Sequence, residues 1–291
     1  MTETFDGDWL DLREPFDARA RNPSLAFALA EALPARPRIL DLGAGTGALL
    51  RWLGHFIGRA QAWTLVDADG ALLARAFETI RERAEAVGWT VTAPDRRTLL
   101  VHAPGGAWRV EGLVADLRDA PDNLPLDKVD AVVNTALCDL VSEDWMIDMA
   151  DATAECGLPF YAALNVTGRE RFSPPHRTDA LVARGFARDQ ARDKGFGGIA
   201  LGAKAPGVIA ASFAANGYRV VRGASPWKVN RHEAAMAAEI AEGHALAAAA
   251  WERRGEAAIE GWLRDRRRQA LAGRLSAHIG HTDILALPPA G

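Results

Sequence analysis

The chain has 291 residues, 49% of them apolar and 25% charged, enough for one large core or one core with a sizeable insertion. A formal net charge of −4 gives no basis for non-specific nucleic-acid binding, and two cysteines, Cys138 and Cys156, exclude a disulfide framework and a zinc-ligand spacing. The acidic opening segment, 1–8, has no apolar h-region, and no apolar run approaches membrane-spanning length. The expectation is therefore a cytoplasmic protein with no membrane partner.

Residues 8–33 read as one or two helices, broken at Asn22-Pro23-Ser24. A strand over 38–42 leads through a glycine-rich turn into a helix over 46–58. A second strand, 62–66, ends at Asp67, and a helix with an apolar stripe covers 70–86. Three short strands follow, 89–93, 98–102 and 108–114, with turns at Pro94-Asp95 and Pro104-Gly105-Gly106. The apolar stretch 129–137 suits a central parallel strand buried on both faces. Ser142 is an N-cap for a helix over 142–156, and 159–166 is the next strand. The polar stretch 167–204, rich in Arg, Pro and Gly, reads as a long loop. A helix over 205–216, a strand over 218–223, two helices within 231–278 broken near Gly255, and a terminal strand over 281–287 complete the chain. Alternating strands and helices predict a doubly wound, mostly parallel α/β sheet.

The glycine turn carries most of the functional signal. Gly43-Ala-Gly45-Thr-Gly47-Ala48 fits a dinucleotide fingerprint, with Ala48 as its third small residue. Asp41 breaks the tie. A carboxylate two residues before the first glycine repels a pyrophosphate and attracts an ammonium. Asp67 ends the second strand about 20 residues after the turn, where an acidic residue accepts hydrogen bonds from ribose hydroxyls; Asp69 is its rival.

The run Asp41-Leu-Gly43-Ala-Gly45-Thr-Gly47 resembles motif I of the class I S-adenosylmethionine-dependent methyltransferases. The resemblance extends over most of residues 36–287 and implies a Rossmann-like, seven-stranded sheet with an antiparallel final strand. It divides the chain into a helical cap, 1–35, and a methyltransferase domain, 36–291, with a substrate-side insertion at 167–204 and a helical insertion at 231–278. It implies S-adenosyl-L-methionine as cofactor, held by Asp41, Gly43, Ala44, Gly45, Gly47 and Asp67. Asp116 takes the adenine amino group and the Leu117 backbone N–H meets the ring. Asn134 joins this set, at the strand edge that faces the methyl group in the family. No Asn/Asp-Pro-Pro-Tyr/Phe motif stands there, which argues against base N-methylation.

On the acceptor side, Asp139 is a candidate general base, and His176 is the first choice of base by its near-neutral titration. Arg169 and Arg177 are candidate substrate ligands within an Arg-rich segment that fits either an anionic metabolite or a solvated lid paired with Glu170, Asp179, Asp189 and Asp193. Cys138 reads as a small buried residue, and no metal site is expected. Arg13, Asp17 and Arg21 share one helix face, favouring a surface ion-pair ladder over a lid. The expected function is methyl transfer to a small, anionic metabolite, with no nucleic-acid partner; the oligomeric state is open. The alternatives are a nicotinamide-dependent oxidoreductase and a non-catalytic cofactor-binding protein.

Overall fold

In the computed structural model, which describes residues 6–289, Asn22 starts the ordering of the N-terminal arm. Helix α1 (Gly7–Ala20) ends there, and α2 (Pro23–Ala32) begins with Pro23 in its first turn. The Asn22 side chain accepts from the Ser24 and Leu25 N–H groups at 3.1 and 3.3 Å, capping α2. The acidic opening segment, 1–5, lies outside the described residues.

Then follow β1 (Arg38–Leu42), α3 (Ala48–Ile57), β2 (Gln61–Asp67), α4 (Gly70–Ala86), β3 (Thr90–Asp95), β4 (Thr98–Ala103) and β5 (Gly106–Val114). The second half holds β6 (Ala131–Thr135), α5 (Glu143–Glu155), β7 (Phe160–Ser173), α6 (Asp179–Gln190), α7 (Ala205–Ala215), β8 (Arg219–Ala224), β9 (Trp227–Val229), α8 (Ala234–Trp251), α9 (Glu256–Leu271) and β10 (Ser276–Leu287). Strands β5, β2, β1, β6 and β7 are parallel neighbours, and β10 lies antiparallel between β7 and β8. These seven are the expected doubly wound α/β sheet. Three more strands extend it to ten among the described residues: β3 and β4 run antiparallel out from β5, and β9 pairs with β10.

Side-chain alternation along β1 sorts the two cores. Ile39 joins Leu29, Leu50, Leu53 and Ile80 on the face covered by α2, α3 and α4. Leu40 and Leu42 join Met146, Met149, Ile209 and Phe213 on the face covered by α5 and α7. A third core unites Phe16 of α1 with Val182, Trp227, Ile240, Trp262 and Ile279, so the late helices pack on the N-terminal arm and the sheet's extended edge.

The segment 167–204 departs from the loop expected. Its first residues continue β7 and pair with the start of β10, with Ala277 opposite Phe172 and Ile279 opposite Glu170. Arg171 and Ser173 are exposed while Phe172 is buried, the alternation of a half-buried strand. Residues 179–190 form α6, where Gly185 lets two backbones touch: a Cβ there would lie 2.8 Å from the Ala248 Cα of α8. The start of β10 likewise occupies residues expected to be helical, because its pairing partner is about 100 residues distant and gives no local signal.

The fully buried Asp283 of β10 holds the arm to the sheet. Its Oδ2 accepts from the Asn22 N–H at 2.7 Å and the Tyr161 hydroxyl at 3.0 Å; its Oδ1 accepts from the Leu164 N–H at 2.8 Å. Leu164 takes a φ of 57° beside this contact. Asp283→Ala would strand three donors, each costing ~1–3 kcal/mol, so urea unfolding should show a loss of about 3 kcal/mol or more. Tyr161→Phe, which leaves the two backbone donors bonded, should cost about 1 kcal/mol. Equal losses in the two variants would refute the assignment.

Candidate functional site

Parallel strands leave their carboxyl ends on one edge, and the turns after β1, β2, β5 and β6 meet there. They enclose a cavity of about 490 Å³ roofed by Leu10, Arg13 and Asp17 of α1. The turn after β1 depends on glycine. Gly45 has a φ of 53°, and a Cβ on it would lie 3.2 Å from the Leu10 Cδ1 of the roof. Gly47 caps α3 at a φ of 77°.

Gly43, Ala44, Gly45, Asp67, Asp116 and Leu117 all line this cavity. Asp67 accepts from the Gly45 N–H and the Asp69 N–H, both at 2.9 Å, which ties the two turns together. Burial raises its pKa, and those backbone donors oppose the rise. Each carboxylate oxygen keeps a lone pair for a further donor. Asp69, its rival, also reaches the cavity while capping α4 through the Ala71 N–H at 2.8 Å. Asp116 caps the 3-10 turn Leu117–Asp119 and pairs with the cavity-lining Arg118 at 2.8 Å; that guanidinium lowers its pKa. The Trp145 indole N–H of α5 donates to the Leu117 carbonyl at 2.6 Å, and Ser142, the N-cap of the same helix, donates to the Phe196 carbonyl at 2.8 Å. One helix start thus places two walls of the cavity.

Other expected residues sit elsewhere. Gly47 is turned toward α4, where a Cβ on it would lie 3.3 Å from Ile80. Asn134 shares the Val132 face of β6, is fully buried, and accepts from the Cys138 thiol at 3.3 Å; its neighbours Thr135 and Ala136 form the cavity wall instead. Ala136 holds a φ of 51°, a strained conformation of the kind found at ligand sites. Burial pushes the Cys138 thiol far up, which removes it as a nucleophile. Asp139 is buried beside the wall and outside the lining, its carbonyl accepting from the Gly202 N–H at 2.9 Å.

His176, Arg169 and Arg177 do not line the cavity. His176 organises the start of α6: its Nδ1 accepts from the Thr178 N–H at 3.1 Å and its Nε2 lies 3.3 Å from the Asp265 carboxylate. Arg169 and Arg177 are exposed. From the 167–204 segment, Lys194 and Phe196 are the residues that line the cavity. Sequence reasoning placed these two in the substrate-side segment without singling them out, and it missed Arg118 and Leu10. It read Arg13 and Asp17 as a surface ladder, whereas both side chains are largely buried in the roof.

Asp41 has the least comfortable position. It lies on the Ile39 face of β1, fully buried behind the glycine turn and outside the cavity lining, and neither carboxylate oxygen has a protein hydrogen-bond partner. Burial pushes its pKa up to about 8; the Asp67 charge adds to the rise and the Arg21 guanidinium opposes it. Arg21 is itself buried. It donates to the Thr135 hydroxyl at 3.2 Å and the Ala48 carbonyl at 3.4 Å, and lies 3.7 Å from the Asp17 carboxylate.

No family model and no curated protein matches the chain. Among solved structures it is similar to a putative type II methyltransferase from Anaeromyxobacter dehalogenans, at 19% identity over 93% of this chain and 97% of that one, TM-score 0.49. It is also similar to the cyclopropane synthase MmaA2 from Mycobacterium tuberculosis, at 14% identity over 91% and 82%, TM-score 0.45. A third is a SAM-dependent methyltransferase from Geobacter sulfurreducens in complex with S-adenosyl-L-homocysteine, at 17% identity over 93% of both chains, TM-score 0.41. All three scores lie below 0.5, so the chemistry of the site rests on its own residues.

The Asp41 environment has a consequence for stability. The folded state keeps the proton up to about pH 8, whereas an unfolded aspartate loses it near 3.8. Between those values the unfolded state binds fewer protons, so this group lowers stability by about 1.4 kcal/mol per pH unit as pH rises. Asp41→Asn removes that dependence. In urea unfolding, its stability advantage over the wild type should be small near pH 4 and grow steadily toward pH 8. An advantage that does not change with pH would contradict the assignment.

Proposed function

We propose that this protein is an S-adenosylmethionine-dependent methyltransferase acting on a small molecule. The observation that carries the reading is one cavity in which a glycine turn meets Asp67 and Asp116 from the next two strand ends, with Asp41 behind the turn. Four carboxylates line it, Asp17, Asp67, Asp69 and Asp116, against three cations, Arg13, Arg118 and Lys194. That balance suits a ligand with a sulfonium and an ammonium, and opposes a pyrophosphate. The α1 roof also covers the turn that would receive a pyrophosphate, which gives the nicotinamide-dependent alternative no support; a non-catalytic protein would share the pocket and differ by lacking turnover.

The residues present fit the cofactor. Asp67 offers acceptors to a ribose diol, Asp116 and Leu117 would meet the adenine, and the unpartnered Asp41, whose burial favours its protonated form, can ionise when a cation binds at the turn. When bound, the cofactor supplies a methyl group activated on a positively charged sulfur. The chain's own part is alignment and exclusion of water. The Ala136 and Phe196 walls and the α1 roof bound the space in which an acceptor would be aligned. In this reading the segment 1–35 acts as a cap on a methyltransferase domain over 36–291. A recessed site and a net charge of −4 favour a small, soluble acceptor over nucleic acid. Arg169 and Arg177 do not reach the cavity, so they lend no support to an anionic acceptor; the cations beside the acceptor space are Lys194 and Arg13, the latter paired with Asp17 at 3.1 Å.

Titration calorimetry should find micromolar binding of S-adenosylhomocysteine and none of NADH. Asp67→Ala should weaken the former about tenfold or more, the loss expected for hydrogen bonds to a charged group. Binding of NADH with no binding of S-adenosylhomocysteine would overturn the proposal.

A further inference from the structure

Exposed charges on this chain mostly answer one another across elements. Arg184 and Arg188 meet Glu252, Arg267 meets Glu242, and Arg19 meets Glu233. Two surfaces depart from this. The first is on α5, where Asp144, Asp148, Asp151 and Glu155 share one exposed stripe opposite the buried Trp145, Met146, Met149 and Thr153. Among the described residues none of the four meets a cation, and Asp151 accepts from the Asn216 amide at 2.7 Å. The helix dipole favours Asp144 in the first turn and opposes Glu155 in the last, which holds no basic residue. Like charges three and four residues apart also repel.

The second surface lies where the end of β7, the start of β10 and β9 form a three-stranded antiparallel ribbon. Phe172, Ala277, Ile279, Trp227 and Val229 bury one face of it in the third core. On the other face, His278 stands directly opposite Arg171 on one side and Lys228 on the other, and Arg169 lies two residues along β7. Ser173 and Ser276 complete this face, which holds no carboxylate and no large apolar group. Arg231, just past β9, and Arg274, just before β10, are exposed at the same end of the ribbon. Among the described residues none of these basic side chains has an ion-pair partner. Like charges directly across strands destabilise a sheet, so both surfaces keep a locally unfavourable arrangement.

The two surfaces are complementary in sign and comparable in size. The acidic stripe runs about 16 Å along its helix. The basic side chains spread over about 10 Å across three strands and continue toward Arg231 and Arg274. Ile147, 40% exposed beside the stripe, adds an apolar contact. The ribbon face carries no aromatic side chain for base stacking, and the net charge of −4 opposes a nucleic acid, whereas its acidic counterpart is present on the chain itself. We propose that the α5 stripe of one molecule docks on the β7–β10–β9 ribbon of a second copy. Two different surfaces meet, so the association is head-to-tail and each pair keeps one face of either kind open for a further copy. Neither surface lines the cavity, so the proposal stands apart from the methyltransferase reading.

Sedimentation velocity on the full-length protein tests it. At roughly 0.1 mM protein and about 0.05 M salt the weight-average mass should exceed that of the monomer, and about 0.5 M salt should restore the monomer. Asp148→Lys with Glu155→Lys should abolish association, and so should Arg171→Glu with Lys228→Glu. An equimolar mixture of these two variants should associate again, since each supplies the face that the other lacks, a recovery that misfolded chains would not show. Lys228→Gln, a mild change at an exposed position, should weaken association about threefold and serves where a reversed variant does not fold. The proposal is overturned by protein that is monomeric at the lower salt, by association that salt, Lys228→Gln or either reversal leaves unchanged, or by two folded variants that stay monomeric when mixed. Monomeric protein that binds an oligothymidylate through Lys228 would give the basic face to a nucleic acid instead.

Discussion

The cavity has a roof because one buried carboxylate, Asp283, binds the joint between α1 and α2 to the sheet. It takes donors from the arm, from β7 and from the Tyr161 side chain, and no water reaches it to compete. From that joint α1 runs out over the strand ends, and its polar contacts weaken along the way. At the base, Arg21 and Asp17 are buried and bonded to Thr135 and Trp227. Midway, Glu14 meets Arg51 at 2.7 Å with both side chains largely buried. At the far end, Asp8 and Asp11 meet Arg75 in the open. Exposed pairs add about 0–1 kcal/mol, whereas breaking buried ones leaves an uncompensated charge. The base of the roof is therefore anchored by buried polar contacts, and its outer end is held mainly by the apolar packing of Trp9 and Leu12 on the third core.

The carboxylates around the glycine turn occupy three different electrostatic conditions. Asp116 is paired with Arg118 and its pKa is lowered. Asp67 is held by two backbone donors against the cost of burial. Asp41 has no hydrogen bond and is pushed toward neutrality. A protein selected for stability alone would place an apolar residue at position 41, between Leu40 and Leu42 in a fully buried strand. Retaining an aspartate there makes sense when a cationic ligand at the turn repays its ionisation.

The features legible in the sequence were those written locally. The strand-turn-helix at 38–57 is visible because apolar run, glycines and helix start are contiguous, and Asp67 and Asp116 follow from strand ends that can be counted. The continuation of β7 was hidden, since Arg169, Glu170 and Arg171 read as loop until Ala277 and Ile279 supply a partner strand about 100 residues on. The same limit applied to the site. Arg13 and Asp17 look like a surface ladder in a helix with no strong apolar face, and only their burial against Trp227 makes them part of a roof.

The fate of the Arg-rich segment bears on how such sequences are read. Its charges are mostly spent on packing the late helices. Arg184 and Arg188 meet Glu252, and Arg192 meets Asp189. His176 caps the start of α6 and lies against Asp265 of α9. The buried Arg266 of α9 answers Asp179 in return. An excess of arginine in a predicted loop is thus a weak pointer to an anionic ligand when later helices supply acidic partners, as Glu252 does for Arg184 and Arg188. What reaches the cavity is the tail of the segment, Lys194 and Phe196, positioned through the Ser142 bond to the Phe196 carbonyl. Lys194 there faces Arg13 of the roof across one cavity, and the roof stands over the strand ends because β10, inserted between β7 and β8, carries the Asp283 that secures the arm.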